Sequence, residues 1–166
     1  PMIADYAFDV PEGSAVEFAV GTVTGSVADA GHDATLTYAI SGEDAATFSV
    51  DPNTGAIEVA SNEIDYETKT TLSVVITVSD SGTGSGRERA DAAQSPPCPL
   101  SAESVVTVSV TPVNEKPSIA EQTVTIDENA AYGSFVNKKL EASDPDAGDA
   151  ESLTFSLTGC AAFAVD

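Results

Sequence analysis

The sequence predicts an all-β protein. It reads as a seven-stranded two-sheet sandwich with Greek-key connections over residues 4–111, followed by the start of a second unit of the same kind, cut short, in tandem. Three observations carry this. Apolar residues alternate with Ser and Thr at period two in several segments, turn residues separate those segments, and the chain repeats itself at a nearly constant offset.

The alternation runs through Leu36, Tyr38 and Ile40, then through Leu72, Val74, Ile76 and Val78. It returns at Val106, Val108 and Val110, and again at Val124 and Ile126. Between "FSV" and "AIEV" stands "DPNTG", Asp51–Gly55, which predicts a hairpin turn with Gly55 at positive φ. No long stretch has helical periodicity. "VPEGSA" at Val10 recurs as "IDENAA" at Ile126, "LTYAISG" at Leu36 as "LTFSLTG" at Leu153, and "FSVD" at Phe48 as "FAVD" at Phe163. These three offsets are 116, 117 and 115 residues, in the same order along the chain. Residues 1–113 are therefore expected to form one full unit and residues 118–166 the first part of a second, of roughly four strands and poorly stable alone. Ser81–Ala102, rich in Gly, Ser and Pro, reads as a long insertion between the last two strands of the first unit.

The 166 residues are 42% hydrophobic, enough for a packed core. They carry 27 acidic side chains against 6 basic ones, a formal net charge of −21. That sign excludes nucleic acid as a partner and disfavours contact with an anionic membrane. A folded protein this acidic needs cations around it. No apolar run is long enough to span a bilayer. Pro1-Met2-Ile3 does not read as a natural start, so the sequence is expected to be a piece of a longer chain. Cys98 and Cys160 form one bridge or none. His32, the only histidine, lies in a Gly/Asp/Ala turn and has no nucleophile motif beside it, so no catalytic residues are assigned and the chain is read as a non-enzyme.

Asp44, Glu58, Glu103 and Glu121 read as solvated faces. Other acids gather at candidate strand ends and connections: Glu12 after the first strand, Asp65 and Glu67 in "EIDYET", Glu115 beside Asn114 in "PVNEKP", Asp144 and Asp146 in "SDPDAGD". The segment "EASDPDAGDAES" holds five acids and no base. Two carboxylates roughly 4 Å apart repel by about 4 kcal/mol at an effective dielectric near 20, and a bound cation reverses that cost. Ca²⁺ takes oxygen donors of this kind, whereas zinc and copper want His or Cys, which do not accompany these acids. If two units stack end to end, these residues meet at the junction.

At these residues the sequence resembles the cadherin-like (cadherin repeat) proteins, over essentially the whole chain. "VPEGSA" and "IDENAA" are similar to the family's glutamate motif, and "EIDYET" to L-D-Y-E. "FSVDPNTGAIEV" is similar to F-x-I-D-x-x-T-G-x-I, "VITVSDSG" to V-x-V-x-A-x-D-x-G, and "ASDPDAGD" to A-x-D-x-D. The resemblance implies immunoglobulin-like sandwich repeats with Ca²⁺ stiffening their junction. By motif, the inter-repeat ligands would be Glu12, Asp65, Glu67, Asn114, Glu115, Asp144 and Asp146. Asp29, Asp33 and Asp80 would serve a site towards a preceding repeat. The linker, residues 114–117, departs from the usual D-x-N-D-N-x-P: Pro112 replaces its first acid, it is one residue shorter, and Lys116 adds a positive charge, so fewer or weaker ions are expected. The chain has no Trp, which excludes strand exchange through an N-terminal tryptophan in this fragment.

The resemblance further implies an extracellular, cell-surface ectodomain of a longer membrane-anchored or secreted protein. Its partners would be Ca²⁺, like chains binding homophilically, and adjacent repeats. The alternative is a spacer or carbohydrate-binding accessory module of a large surface protein or secreted hydrolase.

Overall fold

The computed structural model describes residues 1–27, 35–80, 100–136, 138–159 and 163–164. It divides into two compact units, Pro1–Val113 and Asn114–Asp166.

In the first unit seven strands form two sheets. They are β1 (Tyr6–Pro11), β2 (Ala19–Thr22), β3 (Leu36–Ser41), β4 (Phe48–Val50), β5 (Ala56–Val59), β6 (Thr71–Asp80) and β7 (Ser101–Thr111). One sheet has the order β1-β7-β6-β3 and the other β2-β5-β4. β1 pairs with β7 in parallel, while β6 pairs antiparallel with both β7 and β3. This is the sandwich that the alternation predicts. Leu72, Val74, Ile76 and Val78 of β6 face inward beside Val106, Val108 and Val110 of β7. Val10, Val23, Tyr38, Phe48, Ile57, Val59 and Ile64 complete the core. Ser104 breaks the apolar row on β7 and is 2% exposed, but its hydroxyl donates to Ala4 O at 2.6 Å, so its burial leaves no unpaired group.

The hairpin between β4 and β5 forms as the sequence predicts. Asp51 Oδ1 accepts the N–H groups of Asn53 and Thr54, each at 2.8 Å, and Gly55 N–H closes onto Asp51 O at 3.0 Å. Those two backbone donors hold the Asp51 carboxyl below the usual aspartate range. Gly55 has φ 73°, and a Cβ there would lie 2.3 Å from Val23 O. β7 begins at Ser101, so Ser101 and Ala102, which the sequence reading gave to the insertion, pair with Ser79 and Val78. The length of β6 supplies their partner. Residues 81–99 of the insertion, with Cys98, lie outside the described residues, as do His32 and Cys160.

One acid departs from its expected solvated role. Asp44 is 12% exposed in its side chain and takes Lys69 Nζ on both oxygens, at 2.7 and 2.9 Å, with Ser73 N–H at 2.7 Å on one of them. Partial burial pushes the Asp44 carboxyl up, but the Lys69 ammonium and the Ser73 amide outweigh it and hold the group below its ordinary value. Lys69 is held above its own. A carboxyl lowered on folding contributes stability above the unfolded pKa, and loses it as pH falls through the folded one. The clamp is therefore complete at neutral pH, and its contribution declines once pH drops below the ordinary aspartate range near about 4. Asp44→Asn is expected to flatten the pH dependence of unfolding below pH 4 relative to the wild type, measured by urea unfolding at stepped pH. An unchanged slope would remove Asp44 as a source of acid sensitivity.

The second unit has no strand among its described residues. Ser118 and Ser143 exchange two backbone hydrogen bonds, at 2.8 and 2.9 Å, and their hydroxyls meet at 2.9 Å. The Gln122 amide bonds the Glu141 backbone in both directions. A 3-10 turn covers Asp149–Glu151. The alternation at Val124 and Ile126 predicts a strand, yet both residues are exposed and join no ladder. In the first unit, β1 and β3 take their ladder partners from β7 and β6. Among the described residues of the second unit, no strand stands beside Val124 and Ile126 to play that part. No helix among the described residues is long and apolar enough to cross a membrane.

Candidate metal centre

In the first unit the site grows from the end of β1. The parallel ladder ends at Pro11–Thr111, and Glu12 N–H extends it by one bond to Thr111 O at 3.0 Å. Gly13 then turns the chain at φ 64°, with its N–H on Ile64 O at 2.9 Å. Glu12 is thereby held under the "EIDYET" loop and is 7% exposed. Its Oε2 accepts Tyr66 N–H at 2.8 Å and its Oε1 accepts Val113 N–H at 2.6 Å. One carboxylate thus ties together the end of β1, the loop before β6 and the end of β7. A carboxylate oxygen of Glu67 lies within 4.8 Å of one from Glu12.

Asp65 behaves differently. Its Oδ1 accepts Glu67 N–H at 3.1 Å and its Oδ2 accepts the Thr68 hydroxyl at 2.6 Å. These bonds, the Thr68 hydroxyl first, hold its carboxyl below the usual aspartate range. Asp65 caps its own turn, and among the described residues it does not join the close acid groups. Asp80 closes β6, where its N–H donates to Leu100 O at 2.9 Å. Asp29 and Asp33, expected to accompany it, lie outside the described residues.

In the second unit Asp144, Asp146 and Asp149 each present a carboxylate oxygen, all within 4.8 Å of one another. Local geometry explains the convergence. Asp144 Oδ1 accepts Asp146 N–H at 3.1 Å, an Asx turn that sets the two acids side by side. Gly148, at φ 97°, lets the chain fold back so that Asp149 N–H meets Asp146 O at 3.2 Å. Asp146 Oδ2 also accepts Glu115 N–H at 2.7 Å, which fastens the start of the unit to the acidic loop. The Asn114 amide donates to Glu115 O at 3.0 Å. Asp149 is the residue that motif matching missed. Its signal was present as a third aspartate following a glycine able to reverse the chain.

Both acid groups offer only oxygen, on turns rather than rigid strands, with no His or Cys among them. Such a donor set fits a hard divalent cation that tolerates irregular geometry.

Comparison with known proteins bears on the sandwich itself. A family model described as Cadherin domain matches residues 6–111, the span of β1 to β7. Cadherin-24 of Mus musculus is 33% identical over 161 residues, covering 93% of this chain and 19% of that protein. Cadherin-18 of Bos taurus is 32% identical over 158 residues, covering 92% and 18%. The chain therefore spans about a fifth of the length of these relatives. Among solved structures, repeats EC22-24 of mouse Cadherin-23 superpose with a TM-score of 0.63 at 28% identity, covering 98% of this chain and 49% of that one. Motif order, strand order and a family match across the whole first sandwich converge on one conclusion: the chain belongs to the cadherin family.

Proposed function

We propose that this chain is a calcium-binding, extracellular cadherin-type module of a larger cell-surface protein. In that protein it would serve calcium-dependent adhesion to like chains. The observation that carries the calcium reading is the approach of Asp144, Asp146 and Asp149 within 4.8 Å of one another. Three like charges so close are costly unless a cation joins them. Glu12 and Glu67 offer a second pair of the same kind at the edge of the first unit. In this reading Glu12, Glu67, Asn114, Glu115, Asp144 and Asp146 supply an ion shared by the two units, with Asp149 as an added donor. Asp65 would then contribute chiefly by holding Glu67 N–H. The ion neutralises the acids, ties the units together and stiffens the chain between them.

A thermal melt in millimolar Ca²⁺ and in chelator tests this. At ligand 100 times Kd, one site adds about 2.7 kcal/mol. The melting temperature is expected to rise by several degrees or more in Ca²⁺. Asp146→Asn is expected to reduce that rise without lowering the chelator melt, since it removes one of three mutually repelling charges. A wild-type melt indifferent to Ca²⁺ would overturn the proposal.

A further inference from the structure

We propose that Ser14 is a positioning residue for calcium: its hydroxyl closes the turn that aims the Glu12 carboxylate at the ion. This deepens the calcium part of the proposed function and rests on it. β1 ends at Pro11. Glu12 N–H adds one bond to Thr111 O, and Gly13 then reverses the chain at φ 64°. The Ser14 hydroxyl reaches back across the reversal and donates to Pro11 O at 2.7 Å. That bond closes a ring around Glu12 and Gly13, where a glycine leaves the backbone its greatest freedom. Ser14 is itself buried, at 8% exposure, beside a glutamate at 7%.

The reversal does not need this hydroxyl in order to form. In the second unit "IDENAA" sets Ala130 at the place of Ser14 and Asn129 at the place of Gly13. Asn129 has φ 62°, and Ala130 N–H meets Asp127 O at 3.2 Å. The backbone thus makes the same turn where the side chain has no hydroxyl to offer. The glutamates in the two turns differ: Glu12 is buried, whereas its counterpart Glu128 is exposed. The Ser14 bond therefore belongs with the glutamate that is held in place.

Aim matters for this carboxylate because its oxygens are already half committed. Oε2 accepts Tyr66 N–H at 2.8 Å and Oε1 accepts Val113 N–H at 2.6 Å. Each oxygen gives one lone pair to an amide and keeps another. The directions of the remaining lone pairs follow from the plane of the carboxylate, and a carboxylate oxygen of Glu67 lies within 4.8 Å. A turn free to swivel about Gly13 would carry those lone pairs away from Glu67. A donor fixed before the ion arrives spares binding the cost of ordering it. Groups that orient a metal ligand without touching the metal contribute about 10–100-fold in affinity.

Calorimetric titration of the chelator-treated chain with Ca²⁺ tests it. Ser14→Ala is expected to weaken binding by about tenfold. Ser14→Thr returns the hydroxyl and is expected to recover most of that loss. In a Glu12→Gln background, Ser14→Ala is expected to change the affinity by less than about twofold, because Ser14 acts through that carboxylate. Amide exchange in chelator gives a reading that needs no ion. Tyr66 and Val113 are expected to exchange faster in Ser14→Ala, while the amides of β6 keep their wild-type protection. Ala130 occupies the matching turn, so the alanine variant is expected to fold. A wild type that binds no Ca²⁺ overturns the calcium reading and this inference with it. A wild type that binds, with Ser14→Ala binding equally well or losing as much in the Glu12→Gln background, overturns this inference alone.

Discussion

Glu12→Ala is expected to destabilise the first unit by about 4 kcal/mol in the absence of calcium. The carboxylate is 7% exposed and accepts two backbone N–H groups, Tyr66 at 2.8 Å and Val113 at 2.6 Å. Hydrogen bonds to an ionised group contribute about 1.5–3 kcal/mol each, and an amide left buried without an acceptor costs about 1–3 kcal/mol. Alanine removes both bonds at once and leaves two part-buried donors without their acceptor. Glu12→Gln keeps one carbonyl oxygen but turns an NH₂ group towards the other amide, so it should lose roughly half as much. The measurement is denaturant unfolding in chelator, with amide exchange read at Tyr66 and Val113. Both amides should lose protection ahead of the core amides of β6. A midpoint within error of the wild type would show that the carboxylate serves the metal alone and leaves the fold indifferent to it.

Gly55→Ala is expected to cost about 3 kcal/mol. The residue sits at φ 73°, a left-handed conformation that costs an L-residue roughly 1–2 kcal/mol. The added Cβ would also stand 2.3 Å from Val23 O, which belongs to backbone and cannot swing aside. Relief requires the hairpin to move away from Val23, stretching the 3.0 Å bond from Val23 N–H to Gly55 O. Val23 is fully buried, so the shift opens the core beneath it. Equilibrium unfolding in urea gives the cost, and near-UV circular dichroism reports whether the Tyr38 ring, 3.3 Å from the same Cβ position, has moved. A loss below about 1 kcal/mol would mean that the turn relaxes without disturbing its neighbours.

The fold was legible because its strands carry their own address. The rows Leu72–Val78 and Val106–Val110 alternate, broken only by Val75, and an antiparallel pair buried on one face requires that pattern. The same logic failed at Val124 and Ile126, where alternation states a preference but cannot supply the strand that must sit beside it. The approach of two acids to one another was legible where both stand in one short segment. Asp144 and Asp146 stand two residues apart and meet through a single Asx turn. Asp149 was not legible from spacing alone, because its approach depends on the left-handed conformation of Gly148. Asp65 reads as a ligand by motif, and its two oxygens also serve its own turn through Glu67 N–H and the Thr68 hydroxyl, a local bond that the three-residue spacing within "EIDYET" allows. Asp44 was read as solvated because its partners, Lys69 and Ser73, stand 25 and 29 residues away. Pairings over that distance are products of the tertiary fold.

The parallel pairing of β1 with β7 has a mechanical consequence. The strand that opens the first unit and the strand that closes it lie side by side over six matched residue pairs, from Tyr6–Val106 to Pro11–Thr111. Tension entering before Tyr6 and leaving after Thr111 pulls the two strands lengthwise past each other, so their interstrand bonds share the strain and must give way nearly together. A hairpin pulled at its open end would peel bond by bond under far smaller force. The unit is thus built to yield late under traction along the chain, and its survival is governed by the rate of rupture more than by its equilibrium stability.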